Sequence, residues 1–312
     1  MTTVDSLAPV ERRSEPVRRN EGHDYREQLG PQADGRRLLP YLVDRYPHSA
    51  SEQWQARIES GLVLVDGRPA RVESVLRRGQ ILVWRRPGWE EPEAPLGFAI
   101  LHEDEDLMAL AKPAGLPTLP GAGFLGHTLL GLVRAYDPRA TPLHRLGRFT
   151  SGIVLFARSG LGRAELSRQW AAREVRKRYR ALAAGAPERD EFHVDVPIGP
   201  VPHAALGTIH AASPTGRAAS TLVTVLERRD AAFLCDVRIE TGRPHQVRIH
   251  LAAAGHPLVG DPLYGPGGVP RRGSCALPGD PGYRLHAAAL SFRRPRSGDV
   301  LTLECAPPLE LR

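Results

Sequence analysis

The segment His144-Arg145-Leu146-Gly147-Arg148-Phe149-Thr150-Ser151-Gly152 places an imidazole, two guanidiniums and two hydroxyls just ahead of the apolar run Ile153-Val154-Leu155-Phe156. Such a run reads as a buried strand, so the polar residues occupy the loop that enters it and are held by a rigid element. The Thr150 and Ser151 hydroxyls suit unpaired loop amides, and Gly152 gives room for close chain approach; these three residues support a site rather than react in it. His144 fits a core or loop position as well as a catalytic one. Arg145 can stack on a base or grip phosphate through several donors. Gly147, in the middle, can neither attack, take a proton nor pair with a cation.

Two further segments carry chemistry. In Val175-Arg176-Lys177-Arg178-Tyr179-Arg180-Ala181-Leu182 an aromatic ring sits among cations, a composition that stacks a base while neutralising phosphate. Thr241-Gly242-Arg243-Pro244-His245-Gln246 reads as a turn opening a helix, with Arg248 in its first turns. A buried arginine needs a partner, so Arg248 must meet a phosphate, water or an acid. Asp261, in Gly260-Asp261-Pro262-Leu263-Tyr264-Gly265, suits a turn cap and is the first alternative acid to inspect, while Leu263 adds apolar wall.

Together with Lys112-Pro113-Ala114-Gly115-Leu116 and Leu285-His286-Ala287, these segments form six blocks whose order resembles the RluA family of RNA pseudouridine synthases, from about residue 98 to the end. The family's active-site pattern is H-R-L-D-x-x-T-S-G, and its nucleophilic aspartate falls on Gly147. The resemblance implies uridine isomerisation in a flipped-out nucleotide. It gives Arg145 the place beside the flipped uridine, Tyr179 the place of the tyrosine beside the target base, and Arg248 that of the basic partner of the aspartate. No external cofactor is implied. Three functions follow as expectations: a synthase acting through altered chemistry, an RNA-binding member without turnover, and, from another class, a protein-interaction scaffold unrelated to RNA.

Composition narrows the partners. Lys and Arg total 42 against 35 Asp and Glu, a net charge of +7, and the excess gathers where RNA would lie: Arg71, Arg77, Arg78, Arg85 and Arg86 early in the chain, Arg173, Arg176, Lys177, Arg178 and Arg180 around Tyr179. Structured RNA, ribosomal or transfer, is the expected partner, with no obligate protein partner. No apolar run is long enough to span a bilayer and the start lacks a secretion signal, so cytoplasmic residence and no membrane association are expected. Cys235, Cys275 and Cys305 are too scattered for a disulfide framework or a metal site and read as small buried hydrophobes.

The elements that must position these groups suggest an α+β fold: a large mixed, mainly antiparallel sheet domain over 98–312, preceded by a small α/β module over 36–86. In the module, Leu38, Leu39, Tyr41 and Leu42 mark one short helix, and Trp54 and Ile58 a second, capped by Ser51. Strands follow at Leu62 to Val65, reversing at Asp66-Gly67, and at Gln80 to Trp84. Gly61-Leu62-Val63-Leu64-Val65-Asp66-Gly67 and the surrounding arginines resemble the S4 RNA-binding domain. Residues 1–35 read as a mobile lead and the Pro- and Glu-rich 87–97 as a linker. In the large domain, strands are expected at 98–101, 107–111, 153–157, 179–184, 222–226, 233–239 and 301–304, and helices at 127–136, 161–173 and 244–254.

Overall fold

The computed structural model describes residues 10–13 and 19–312. Among them, 19–91 form one unit, and 10–13 with 92–312 form another.

The small unit follows its apolar spacing. Leu38, Tyr41 and Leu42 on helix Leu38–Arg45, and Trp54 and Ile58 on helix Ser51–Glu59, are buried against Val63 and Leu82 of a four-stranded sheet. Asp66 and Gly67 both have positive φ, 50° and 78°, as a tight two-residue hairpin turn requires. Ser51 is the first helical residue rather than the cap; the Ala50 N–H ahead of it donates to Gln53 Oε1 at 3.0 Å.

The lead and the linker are corrected. His23–Gln28 is an edge strand on Ile81–Arg86, and Val10–Arg13 pairs with Gly97–Glu103, so main-chain hydrogen bonding orders polar stretches that carry no apolar pattern. The rest of the lead, 1–9 and 14–18, lies outside the described residues. Within 87–97, Asn20 N donates to Trp89 O and the backbones of Arg19 and Glu90 form an isolated antiparallel bridge, so the first part, to Glu91, belongs to the small unit.

The large unit is built on a sheet in the order Val10–Arg13, Gly97–Glu103, Leu107–Lys112, Ser151–Ala157, Leu285–Arg293, Arg176–Ala184, Ala232–Ile239, Thr221–Arg229, Glu191–Val194. Both faces of its middle are covered, which explains why Ile153 to Phe156 are apolar without alternation. Val154 and Phe156 pack with Met108, Leu110 and the helix Leu129–Tyr136; Ile153 and Leu155 pack with Leu107, Ala109, Phe292 and Leu166 of helix Gly160–Ala171. Each such side chain contributes about 2 kcal/mol by burial. Thr128 and Ser159 cap the two helices, accepting from the N–H of Gly131 at 3.0 Å and Gly162 at 2.9 Å. The fold is thus the expected α+β arrangement. It also has strands that the pattern did not announce, Leu285–Arg293 among them. Cys235 is buried as anticipated, whereas Cys275 is exposed.

Candidate active site

Among the described residues, all but one of the pairings in the large sheet are antiparallel. The exception joins Leu285–Arg293 to Ser151–Ala157, through His286 opposite Ser151 and Ala287 opposite Gly152. Parallel neighbours begin at the same end of a sheet, so the loop carrying Gly147 and the segment carrying Tyr283 enter side by side. Gly152 makes this junction possible: its φ is 108°, and a Cβ there would stand 2.2 Å from the Ala287 carbonyl oxygen. Ser151 Oγ lies 2.8 Å from His286 Nδ1, and His286 Nε2 lies 3.1 Å from the Cys305 carbonyl. The carbonyl can only accept, so Nε2 carries the proton and Nδ1 accepts from the serine. Ser151 therefore ties the junction together.

The Gly147 loop is pinned from behind. Lys112 is buried and its Nζ donates to the carbonyls of Pro113, Leu116 and Arg148 at 2.9, 2.7 and 3.0 Å. Burial, with Arg148 nearby, pulls this ammonium down to about 7. Thr118 Oγ1 donates to Leu146 O at 2.9 Å and accepts from Leu146 N at 3.2 Å. His144 Nε2 accepts from Leu155 N at 3.0 Å while its ring stacks on Trp170 with centroids 4.6 Å apart. Burial, with the Lys177 charge, holds the imidazole at about 3. It is a neutral brace behind the loop.

In front of the loop, Gly147 is exposed, and its φ lies outside the left-handed region, so the backbone itself does not demand glycine. A Cβ at this position would stand 2.9 Å from Tyr283 Oη and 3.4 Å from Thr150 Oγ1. Tyr283 is buried, its hydroxyl 3.3 Å from Thr150 Oγ1, with the Arg248 Cζ 4.1 Å from its ring centroid. Gly260 and Gly282 let the Asp261 and Tyr283 segments cross, since a Cβ on either would meet the other's carbonyl oxygen at 2.5 or 2.2 Å.

Arg248 has found its acid, and it is Asp261. Nε and Nη2 donate to the two carboxylate oxygens at 2.7 and 2.9 Å, and Nη1 donates to Pro278 O at 2.8 Å. Asp261 also accepts from the N–H of Leu263 and Tyr264 at 2.9 and 3.1 Å. Burial opposes both charges, but their mutual hydrogen bonds outweigh it, raising Arg248 and lowering Asp261. The pair is closed: Arg248 is not an open cation awaiting phosphate, and Asp261 is not a free acid. Leu263 is fully buried beside Tyr264 and Ile249, behind the pair.

Tyr179 lies on Arg176–Ala184 between Val237 and Ala287. Half-buried, it packs against the cluster holding Tyr283 and Val247 and against that holding Leu146 and Ala287. Burial pushes its phenol up to about 12. Arg145 is exposed and, among the described residues, makes no hydrogen bond or ion pair. Its charge reaches His245, which burial, then Arg248 and Arg145, holds at about 3, and whose Nδ1 lies 2.7 Å from Tyr264 Oη.

The other expected RNA-contacting arginines divide. Arg176 is exposed and Arg85 is 58% exposed, 3.9 Å from Asp24. Arg86 stands over Trp89, its Cζ 3.4 Å from the ring centroid. Arg178 is held by Asp236 at 3.0 Å and Glu304 at 2.8 Å, which removes it from the open cations. Tyr283 and Lys112 are the site residues that reading the sequence missed. The usable signal for Tyr283 was its place two residues ahead of the Leu285-His286-Ala287 block.

The RNA pseudouridylate synthase family profile matches residues 106–253. An uncharacterized RNA pseudouridine synthase of Synechocystis is 44% identical over 88% of this chain and 95% of its own length. RNA pseudouridine synthase 5 of Arabidopsis thaliana is 38% identical over 86% and 88%, and ribosomal large subunit pseudouridine synthase D of Xanthomonas campestris 34% over 90% and 88%. Human RNA pseudouridylate synthase domain containing 4 shares the fold, with a TM-score of 0.54 at 24% identity over 68% of this chain and 89% of that one. With such relatives matched over nearly their full length, the chain belongs to the RNA pseudouridine synthase family.

Proposed function

We propose that the chain isomerises uridine to pseudouridine in structured RNA. The observation that carries this reading is the exposed Gly147, with the Tyr283 hydroxyl and Thr150 beside the point where a side chain would begin, Tyr179 packed against the clusters holding Tyr283 and Leu146, and the unpaired Arg145 on the loop. A flipped nucleotide needs these contacts: an aromatic wall for the base, a cation for the displaced backbone and a reactive group facing ribose C1′. Arg145 takes the backbone role, Tyr179 the base, and the Arg248–Asp261 pair holds the floor. Residues 36–86, S4-like in pattern, with Arg85 and Arg86, and Arg176 on the large unit, extend the RNA-binding surface. A ribosomal target is favoured by relatives named for the large ribosomal subunit.

One observation favours a second reading. Position 147 carries no carboxylate and the nearby Asp261 is enclosed by Arg248, an arrangement compatible with RNA binding without turnover. Site-specific pseudouridine mapping separates the two, using total RNA from cells lacking the gene, treated with the unaltered protein or with Gly147→Asp. Product from the unaltered protein is the expected result. Product from Gly147→Asp alone would establish the binding reading; no product from either, with RNA still bound, would reject isomerisation by this scaffold.

A further inference from the structure

Position 147 carries no acid, but a phenol stands beside it. An L side chain at position 147 would begin 2.9 Å from Tyr283 Oη, so the phenol stands at the root of the space that a carboxylate from this loop would fill. Gly147 is exposed, whereas Tyr283 is buried, 3% exposed, behind it. The phenol is also well fixed: Thr150 Oγ1 lies 3.3 Å from its oxygen, and the Arg248 guanidinium, itself locked on Asp261, supports its ring. A cavity of about 840 Å3 reaches Tyr283 from the side of Gly152 and His286; Gly147, Thr150, Tyr179 and Arg248 do not line it. Tyr179 sits within the strand Arg176–Ala184, and the Tyr264 hydroxyl is engaged with His245 and the His210 carbonyl.

We propose that Tyr283 is the nucleophile of this enzyme, attacking ribose C1′ in place of the absent carboxylate; the inference rests on the isomerase reading above. The bond to be broken is a glycosidic one, and tyrosine is an established type of nucleophile at such carbons. In the first step the C1′–O bond to Tyr283 forms as C1′–N1 breaks. The bonding pair leaves with uracil, and the phenolic proton passes to N1. The base then turns within the site. In the second step C5 attacks C1′ and the C1′–O pair returns to the phenolate, which takes the proton from C5. The product carries hydrogen on N1 and none on C5, Tyr283 is regenerated, and no oxidant or co-reactant enters.

The test compares the full chain with Tyr283→Phe and Gly147→Ala on total RNA from cells lacking the gene, followed by pseudouridine mapping and single-turnover rates at the modified position. Tyr283→Phe keeps the ring against Arg248, so its unfolding midpoint and RNA affinity should stay unchanged while the rate falls about 100-fold or more. Gly147→Ala should slow the reaction about tenfold by crowding the phenol. Acid-quenched reactions should yield an RNA adduct on the peptide containing Tyr283, absent from the phenylalanine variant. A Tyr283→Phe rate within about threefold of the unaltered protein, or an adduct on another residue, overturns the assignment while leaving the isomerase reading intact. Absence of product from the unaltered protein overturns both.

Discussion

Arg248 and Arg145 come from motifs of equal standing in the sequence, yet the fold treats them oppositely. Arg248 is 2% exposed and its guanidinium is closed on Asp261 and Pro278 O; Arg145 projects from the loop with no partner among the described residues. The buried part of the site is therefore a finished electrostatic structure, while the loop carries an exposed cation with no partner among the described residues. A motif match identifies a position; burial and the available partner decide whether it acts on the ligand or on the fold.

The largest effect that would break this contrast is on the floor. Asp261→Asn leaves Arg248 buried against a neutral partner, and disrupting such a pair costs about 3–5 kcal/mol. Urea unfolding should show that loss; a change under about 1 kcal/mol would mean the pair is not structural. Arg145→Ala should do the reverse. Stability should move by less than about 0.5 kcal/mol, while losing a charge-assisted contact of about 1.5–3 kcal/mol should weaken RNA binding some tenfold to hundredfold. The slope of log affinity against log salt should fall by about 0.9, the value for one phosphate contact on a duplex, and an unchanged slope would remove Arg145 from the RNA contacts.

What the sequence could reveal follows the same division. Helices with spaced apolar faces were readable, as Trp54 and Ile58 illustrate, and so were strands with long apolar runs such as Ile153 to Phe156. His23–Gln28 was not, because five of its six residues are exposed and only pairing with Ile81–Arg86 makes it a strand. Leu285–Arg293 was missed because it is buried nearly throughout and contains Ala287, Ala288 and Ala289, so neither alternation nor β-branching marks it. The motif blocks contained Gly147, Tyr179 and Arg248, and the fold places all three around Tyr283. The partner of Arg248 depends on a long-range crossing at Gly260 and Gly282, and the neighbour of Gly147 on a single parallel pairing between strands far apart in sequence. Neither has a local pattern.

The smallest predicted effect concerns His144, which separates bracing the loop from reacting in it. In the folded chain its Nε2 accepts the Leu155 N–H, and the group is held at about 3 by burial and by the Lys177 charge. In the unfolded chain an imidazole titrates near 6.5. Between those values the unfolded chain binds a proton that the folded chain refuses, so stability is lost as pH falls from about 6.5 toward 3 and is unaffected above that window. From pH 7 to about 5.5, one such group contributes a loss of up to about 1 kcal/mol. His48, His245, His250 and His286 are also lowered and contribute in the same direction, so the informative quantity is the difference from His144→Gln, which retains them. Urea midpoints measured across that range should fall more steeply for the unaltered protein than for the variant. Parallel curves would show that His144 is not held neutral. An isomerisation rate that follows a single protonation near pH 6.5, and flattens in His144→Gln without change in folding, would instead give His144 a part in the chemistry.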